Sequence, residues 1–155
     1  MGALVFLALW GLITHGNNAG TGDEPHYLMI AHSLVFDRDL DLANDYADGT
    51  NLVADGKLQP ERHAIPGRDG LLRPVHDIGM PLAFSPYFAA AYLVADRVTP
   101  LLPDDLLRRA KLNPALVLRH LMSFGMMALA ALLATMLFDT FLETSGRKAL
   151  AFGWA

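Results

Sequence analysis

The chain has no cysteine. That excludes a disulfide framework, a thiolate nucleophile and any Cys-based zinc centre, though it does not locate the protein. Charge is sparse, at 18% of the 155 residues, and the formal net charge is only -4. There is no basic tract and no interleaving of aromatic with basic residues, which speaks against a nucleic-acid partner. Internal repeats and low-complexity segments are missing too. The six histidines show no H-x-x-x-H or comparable spacing, so no local metal signature is present. What the chain has in quantity is apolar residues, 53% of the total, and they are clumped rather than spread. Clumping of that kind points to a membrane protein.

The clearest run is "LMSFGMMALAALLATMLF", Leu121 to Phe138, 18 residues without a charge. As a helix it reaches ~27 Å, close to the thickness of a bilayer core. Ser123, Gly125, Ala128 and Ala131 suit close helix packing. Arg119 and His120 mark its start, Asp139 and Glu143 its end. The earlier run "GALVFLALWGLIT", Gly2 to Thr14, is shorter. It lacks a positive n-region, and "THGNNAGTG" offers no A-x-A cleavage site, so a transmembrane helix is expected over a signal peptide. Its start is expected to lie outside the chain, a genuinely short helix in a thinned bilayer being the alternative. A third run, Ile78 to Ala95, is interrupted by Pro81, Ser85 and Pro86 and is rich in aromatics. A helix lying along the membrane surface, or against the bundle, fits it better than a crossing. The arginines ahead of the last span argue the other way, since the positive-inside rule would then require Ile78–Ala95 to cross.

Between the runs, Glu24 precedes Pro25, and Pro25 suits the first position of a helix. Tyr27, Ile30, Ala31, Leu34 and Val35 then recur at helical spacing, which predicts an amphipathic helix of about three turns. Asp23 and Glu24 therefore stand at a helix N-terminus, and a capping role is open to either. In "DRDLDLANDYAD", Asp37 to Asp48, the acids match several calcium-loop positions. Leu42 stands where glycine is needed, however, and Asp48 where glutamate is needed. An acidic turn with Leu40 and Leu42 packed inward fits better. Residues Gly49–Arg73 read as an irregular loop, with a turn at Asp69–Gly70 leading to His76.

The succession of "GDEPHYLMIAHSLVFDRDLDLANDY", "LLRPVHDIGMPLAFSPYFAAAY" and Arg119 opening a long span resembles the N-terminal part of GT-C-fold membrane glycosyltransferases. Specifically, it resembles the bacterial relatives of protein mannosyltransferases and aminoarabinose transferases. The resemblance covers nearly the whole chain. It implies an all-α membrane protein: a transmembrane helix at 1–14, a periplasmic loop at 15–114 with amphipathic surface helices, and a second transmembrane helix at 115–139. A cytoplasmic turn and the start of a third helix would follow at 140–155. It implies that Ile78–Ala95 does not cross, and that the chain sits in a bacterial inner membrane as a fragment of a longer bundle, inactive alone. The implied reaction moves a sugar from a polyprenyl-phosphate donor to an acceptor hydroxyl. Asp23 would be the base and Glu24 would hold geometry or help bind a cation. Arg73, His76 and Arg119 are the candidates for the donor phosphate, although relatives carry a lysine near the place of His76. The bilayer and the lipid-linked sugar are the implied partners, with a divalent cation as candidate cofactor. The reading from another class is a small non-catalytic membrane protein that binds through its acidic loop.

Overall fold

A computed structural model describes residues 2–10, 23–48 and 58–146. Its elements in order are α1 (Gly2–Trp10), α2 (Glu24–His32) with a π turn (Ser33–Asp37), α3 (Ala43–Asp48), β1 (Ala64–Pro66) and β2 (Leu72–Pro74). These are followed by α4 (Gly79–Val98), a short 3-10 turn (Thr99–Leu101), α5 (Asp104–Ala110) and α6 (Pro114–Ser145). The chain divides into two compact units, one of Met1–Thr14 with Ser123–Ala155, the other of His15–Met122. The protein is mostly helical.

In the first unit, α1 lies against the later part of α6. Trp10 meets Phe124 with ring centroids 5.0 Å apart. Gly2 permits the close approach, since a Cβ there would fall 2.5 Å from Thr135 Oγ1 and 3.0 Å from the Ala131 carbonyl oxygen. Helix α6 has 32 residues and is ~48 Å long at 1.5 Å per residue, more than a bilayer core requires. Two of its hydroxyls are satisfied within the helix, Thr135 donating to the Ala131 carbonyl and Thr140 to that of Met136, each at 2.8 Å. Among the described residues α6 is the one helix long and apolar enough to cross a membrane. Of the two expected spans, one is matched by such a helix among the described residues. Helix α1 is described over nine residues, ~13 Å, too short to cross by itself; residues 11–14 of the expected first span lie outside the described part.

In the second unit, α2 is enclosed. Pro25, His26, Leu28, Met29, Ile30 and Ala31 are all buried, whereas the sequence pattern implied one apolar stripe. A helix covered on most sides is a core helix, not a surface one. Its main cover is α4, which presents Phe88, Ala91 and Ala95 at helical spacing. Leu42, Tyr46, Leu118 and Met122 complete the core. Helix α4 is half-buried, and its outer side carries Met80, Leu82, Leu93, Val94 and Val98 exposed. Pro86 inside it has no N–H to donate, which leaves one helical hydrogen bond unmade.

The stretch expected to be irregular contains a hairpin, the one departure from all-helical structure among the described residues. β1 and β2 pair antiparallel, Ala64 with Pro74, Ile65 with Arg73 and Pro66 with Leu72. The turn falls where Asp69–Gly70 suggested, and Gly70 adopts φ +80, which favours glycine; residues 49–57 of this stretch lie outside the described part. The acidic run holds the hairpin in place. Leu42 N–H donates to the Leu72 carbonyl, and Leu72 N–H donates to Asp41 Oδ1. Asp39 and Asp41 also cap the turn into α3 by accepting from Asp41 N–H and Ala43 N–H. Leu42 is buried and Leu40 half-buried, as an acidic turn with inward leucines requires. Replacing Phe88 with alanine is expected to destabilise the second unit by about 3–5 kcal/mol through the cavity it leaves. Leu82→Ala on the outer side should fall within about 0.5 kcal/mol. Denaturant unfolding in detergent checks both, and a reversal of that order would mean the faces of α4 are misassigned.

Candidate functional site

Asp23 occupies the N-cap position of α2 without acting as a side-chain cap. Its backbone carbonyl accepts the His26 and Tyr27 N–H groups at 3.1 Å each, so the helix start is secured by the main chain. The carboxylate, 59% exposed, points elsewhere: Oδ1 lies 3.7 Å from His63 Nδ1. His63 Nδ1 is 2.7 Å from His76 Nε2. The hairpin makes this meeting happen. Val75 N–H donates to the His63 carbonyl one step beyond the Ala64–Pro74 pair, which extends the ladder to the two histidines.

Below this group lies His26. Its ring stacks on His63 with centroids 3.6 Å apart, and its Nδ1 shares a hydrogen bond of 2.7 Å with the Tyr46 hydroxyl. Burial holds the His26 pKa down at about 4; repulsion from His63 and His76 adds to this, and Asp23 opposes it. His26 is therefore neutral at pH 7. Burial also pushes the Tyr46 phenol up to about 12, so its proton stays in place. Tyr27 lies against His76 with centroids 4.9 Å apart. The result is a carboxylate and two imidazoles at the surface, standing on a neutral buried His–Tyr pair.

One ligand atom each from Asp23, His63 and His76 lies within 4.8 Å of the other two. Two nitrogens and one carboxylate suit a first-row divalent ion with an open coordination position. Without an ion, the same three groups can pass a proton from a reacting hydroxyl at Asp23 toward His63.

The other expected site residues are distributed differently. Glu24 is half-buried in the first turn of α2, where its charge favours the helix dipole. Arg73 is turned to Asp69 across the hairpin turn, bonded through Nε and Nη2. That bond holds the Asp69 carboxyl below its ordinary range. Arg119 is only 1% exposed, buried within the first part of α6 and not open to a phosphate as it stands. The structure thus brings Asp23 and His76 together, adds His63 and His26, and turns Arg73 to Asp69 instead. Compared with known proteins, the chain matches no family model, no curated sequence and no solved structure.

The buried His26 links stability to pH. Its folded pKa of about 4 lies below the unfolded value of 6.5, so its contribution is full above pH 6.5 and is lost as pH falls toward 4. Denaturant unfolding at intervals between pH 7.5 and 4 is expected to show this decline, at up to ~1.4 kcal/mol per pH unit. His26→Gln should flatten it, and an unchanged slope would remove His26 as the cause.

Proposed function

We propose that this chain is the N-terminal part of a polytopic GT-C-type membrane glycosyltransferase that takes a sugar from a polyprenyl-phosphate donor. The observation that carries the reading is the Asp23 carboxylate, held at a helix head, exposed, not used for capping and directed at two histidines. An acid serving only the helix would turn back onto its N–H groups. In the proposed reaction the acceptor oxygen attacks the anomeric carbon, and the carbon–oxygen bond to the phosphate breaks. Asp23 takes the hydroxyl proton late, as the new bond forms. The polyprenyl phosphate departs with the bonding electrons.

The role of stabilising that phosphate passes to His63 and His76, directly or by holding a divalent cation beside it. Arg73 would have to leave Asp69, and Arg119 would have to come out of the core, before either could clamp an anion. Glu24 supports the geometry of the helix head. The exposed apolar side of α4 suits the bilayer boundary, with α6 crossing and residues 15–114 on the periplasmic side of a bacterial inner membrane. The same apolar side favours a second reading, a non-catalytic membrane protein that docks a partner along α4.

One assay separates the two readings. Transfer of labelled sugar from a polyprenyl-phosphate donor is measured in membranes from cells expressing the complete gene. Asp23→Asn is expected to lower the rate by about 100-fold or more, with His76→Ala also slower. Normal transfer by Asp23→Asn would end the base assignment. Loss of partner association on alanine substitution of Leu82, Leu93 and Val94, with no transfer detectable in the parent, would establish the docking reading instead.

A further inference from the structure

The other end of α2 carries a second polar cluster that the proposed transfer reaction does not use. His32 closes the helix, Asp37 closes the π turn, and Asp45 projects from α3. One ligand atom from each lies within 4.8 Å of the other two. His32 Nδ1 and Asp45 Oδ1 are 2.8 Å apart. The Asp45 side chain is fully buried, and its Oδ2 has no hydrogen-bond partner among the described residues. Asp37 is exposed, and its Oδ2 accepts from the Asn44 side-chain amide at 3.0 Å. The rings of Phe36 and Tyr92 flank His32, with centroids 5.0 and 5.2 Å away.

A buried carboxylate with one oxygen unsatisfied is costly, and natural folds rarely leave it so without a reason. The π turn supplies a further indication. Such insertions concentrate at functional sites, and this one sets Asp37 beside His32 where a regular helix would have carried it round. We infer that His32, Asp37 and Asp45 form a binding site for a first-row divalent metal ion. One imidazole and two carboxylates match a zinc or manganese site, and two carboxylate charges balance a dication. Calcium would want six to eight oxygens, which these residues do not provide.

Ligands of a four-coordinate ion stand about 3.3–3.5 Å apart. Binding therefore draws Asp37 inward, which its exposure permits. It also opens the His32–Asp45 contact, where the ion displaces the shared proton. The bound ion ties the end of α2 to α3.

The test uses the full chain in detergent micelles, titrated with Co2+ and followed by its visible d–d absorption, with Zn2+ as competitor. A chain carrying His63→Gln and His76→Gln, which disables the other cluster, is expected to take up one equivalent. Adding Asp37→Asn should weaken that uptake by about tenfold or more. Asp37 is exposed, so its replacement leaves the core intact, and the same weakening of one site is expected when Asp37→Asn is made in the otherwise native chain. Absence of saturable uptake in the His63→Gln, His76→Gln chain would overturn the proposal, as would an affinity that Asp37→Asn leaves within twofold. The readout is binding alone, so it stands or falls independently of sugar transfer.

Discussion

Everything described in the second unit depends on the enclosure of α2. Met29, Ile30 and Ala31 are buried against Phe88, Ala91 and Ala95 of α4 and against Leu118 and Met122 of α6. Full burial of large side chains contributes about 1.5–3 kcal/mol each, and this helix gathers several in less than three turns. Such a core fixes the rotation of α2 about its axis, because a turn in either direction would bring polar groups into apolar surroundings. Once the rotation is set, the polar residues at both ends have defined positions. Asp23 and His26 stand at the head, His32 and Asp37 at the tail.

The two ends manage polarity in opposite ways. At the head, His26 is buried but neutral, and its hydrogen bond to Tyr46 meets the requirement of one ring nitrogen. The charged Asp23 stays in water. At the tail the arrangement inverts: the acid is buried and the imidazole is nearer to solvent. Burial raises the Asp45 pKa, while the hydrogen bond and charge of His32 act against the rise. The head is thereby satisfied by neutral groups, while the tail keeps an oxygen that calls for a positive partner.

Some of this was legible in the residues. Pro25 behind two acids announced the start of α2 to within a residue, and the uncharged run from Leu121 marked a long apolar helix. The inward leucine at position 42 followed from simple alternation in an acidic run. The full burial of α2 was not legible, since local spacing reports one face and cannot reveal a second neighbour. The histidine cluster was hidden for a related reason, because His26, His63 and His76 are brought together only by the hairpin register. A signal did exist. Counting outward from Asp69 in equal steps sets His63 opposite Val75, beside His76, but the composition of Gly49–Arg73 pointed to an irregular loop instead. Arg119 shows the limit of reasoning by charge alone. An arginine at the edge of an apolar run suggests an interfacial anchor, and here the fold has buried it.

Helix α3 is short, yet two consecutive residues on it serve opposite ends of α2. Asp45 bonds to His32 at the tail, and Tyr46 bonds to His26 at the head. Both bonds are short, and neither partner can follow a displacement, because α2 is held in its core. Helix α3 therefore behaves as a yoke across two anchored posts. A slide along its axis that lengthens one bond is transmitted to the other through a single peptide unit, so the two polar clusters share one mechanical degree of freedom.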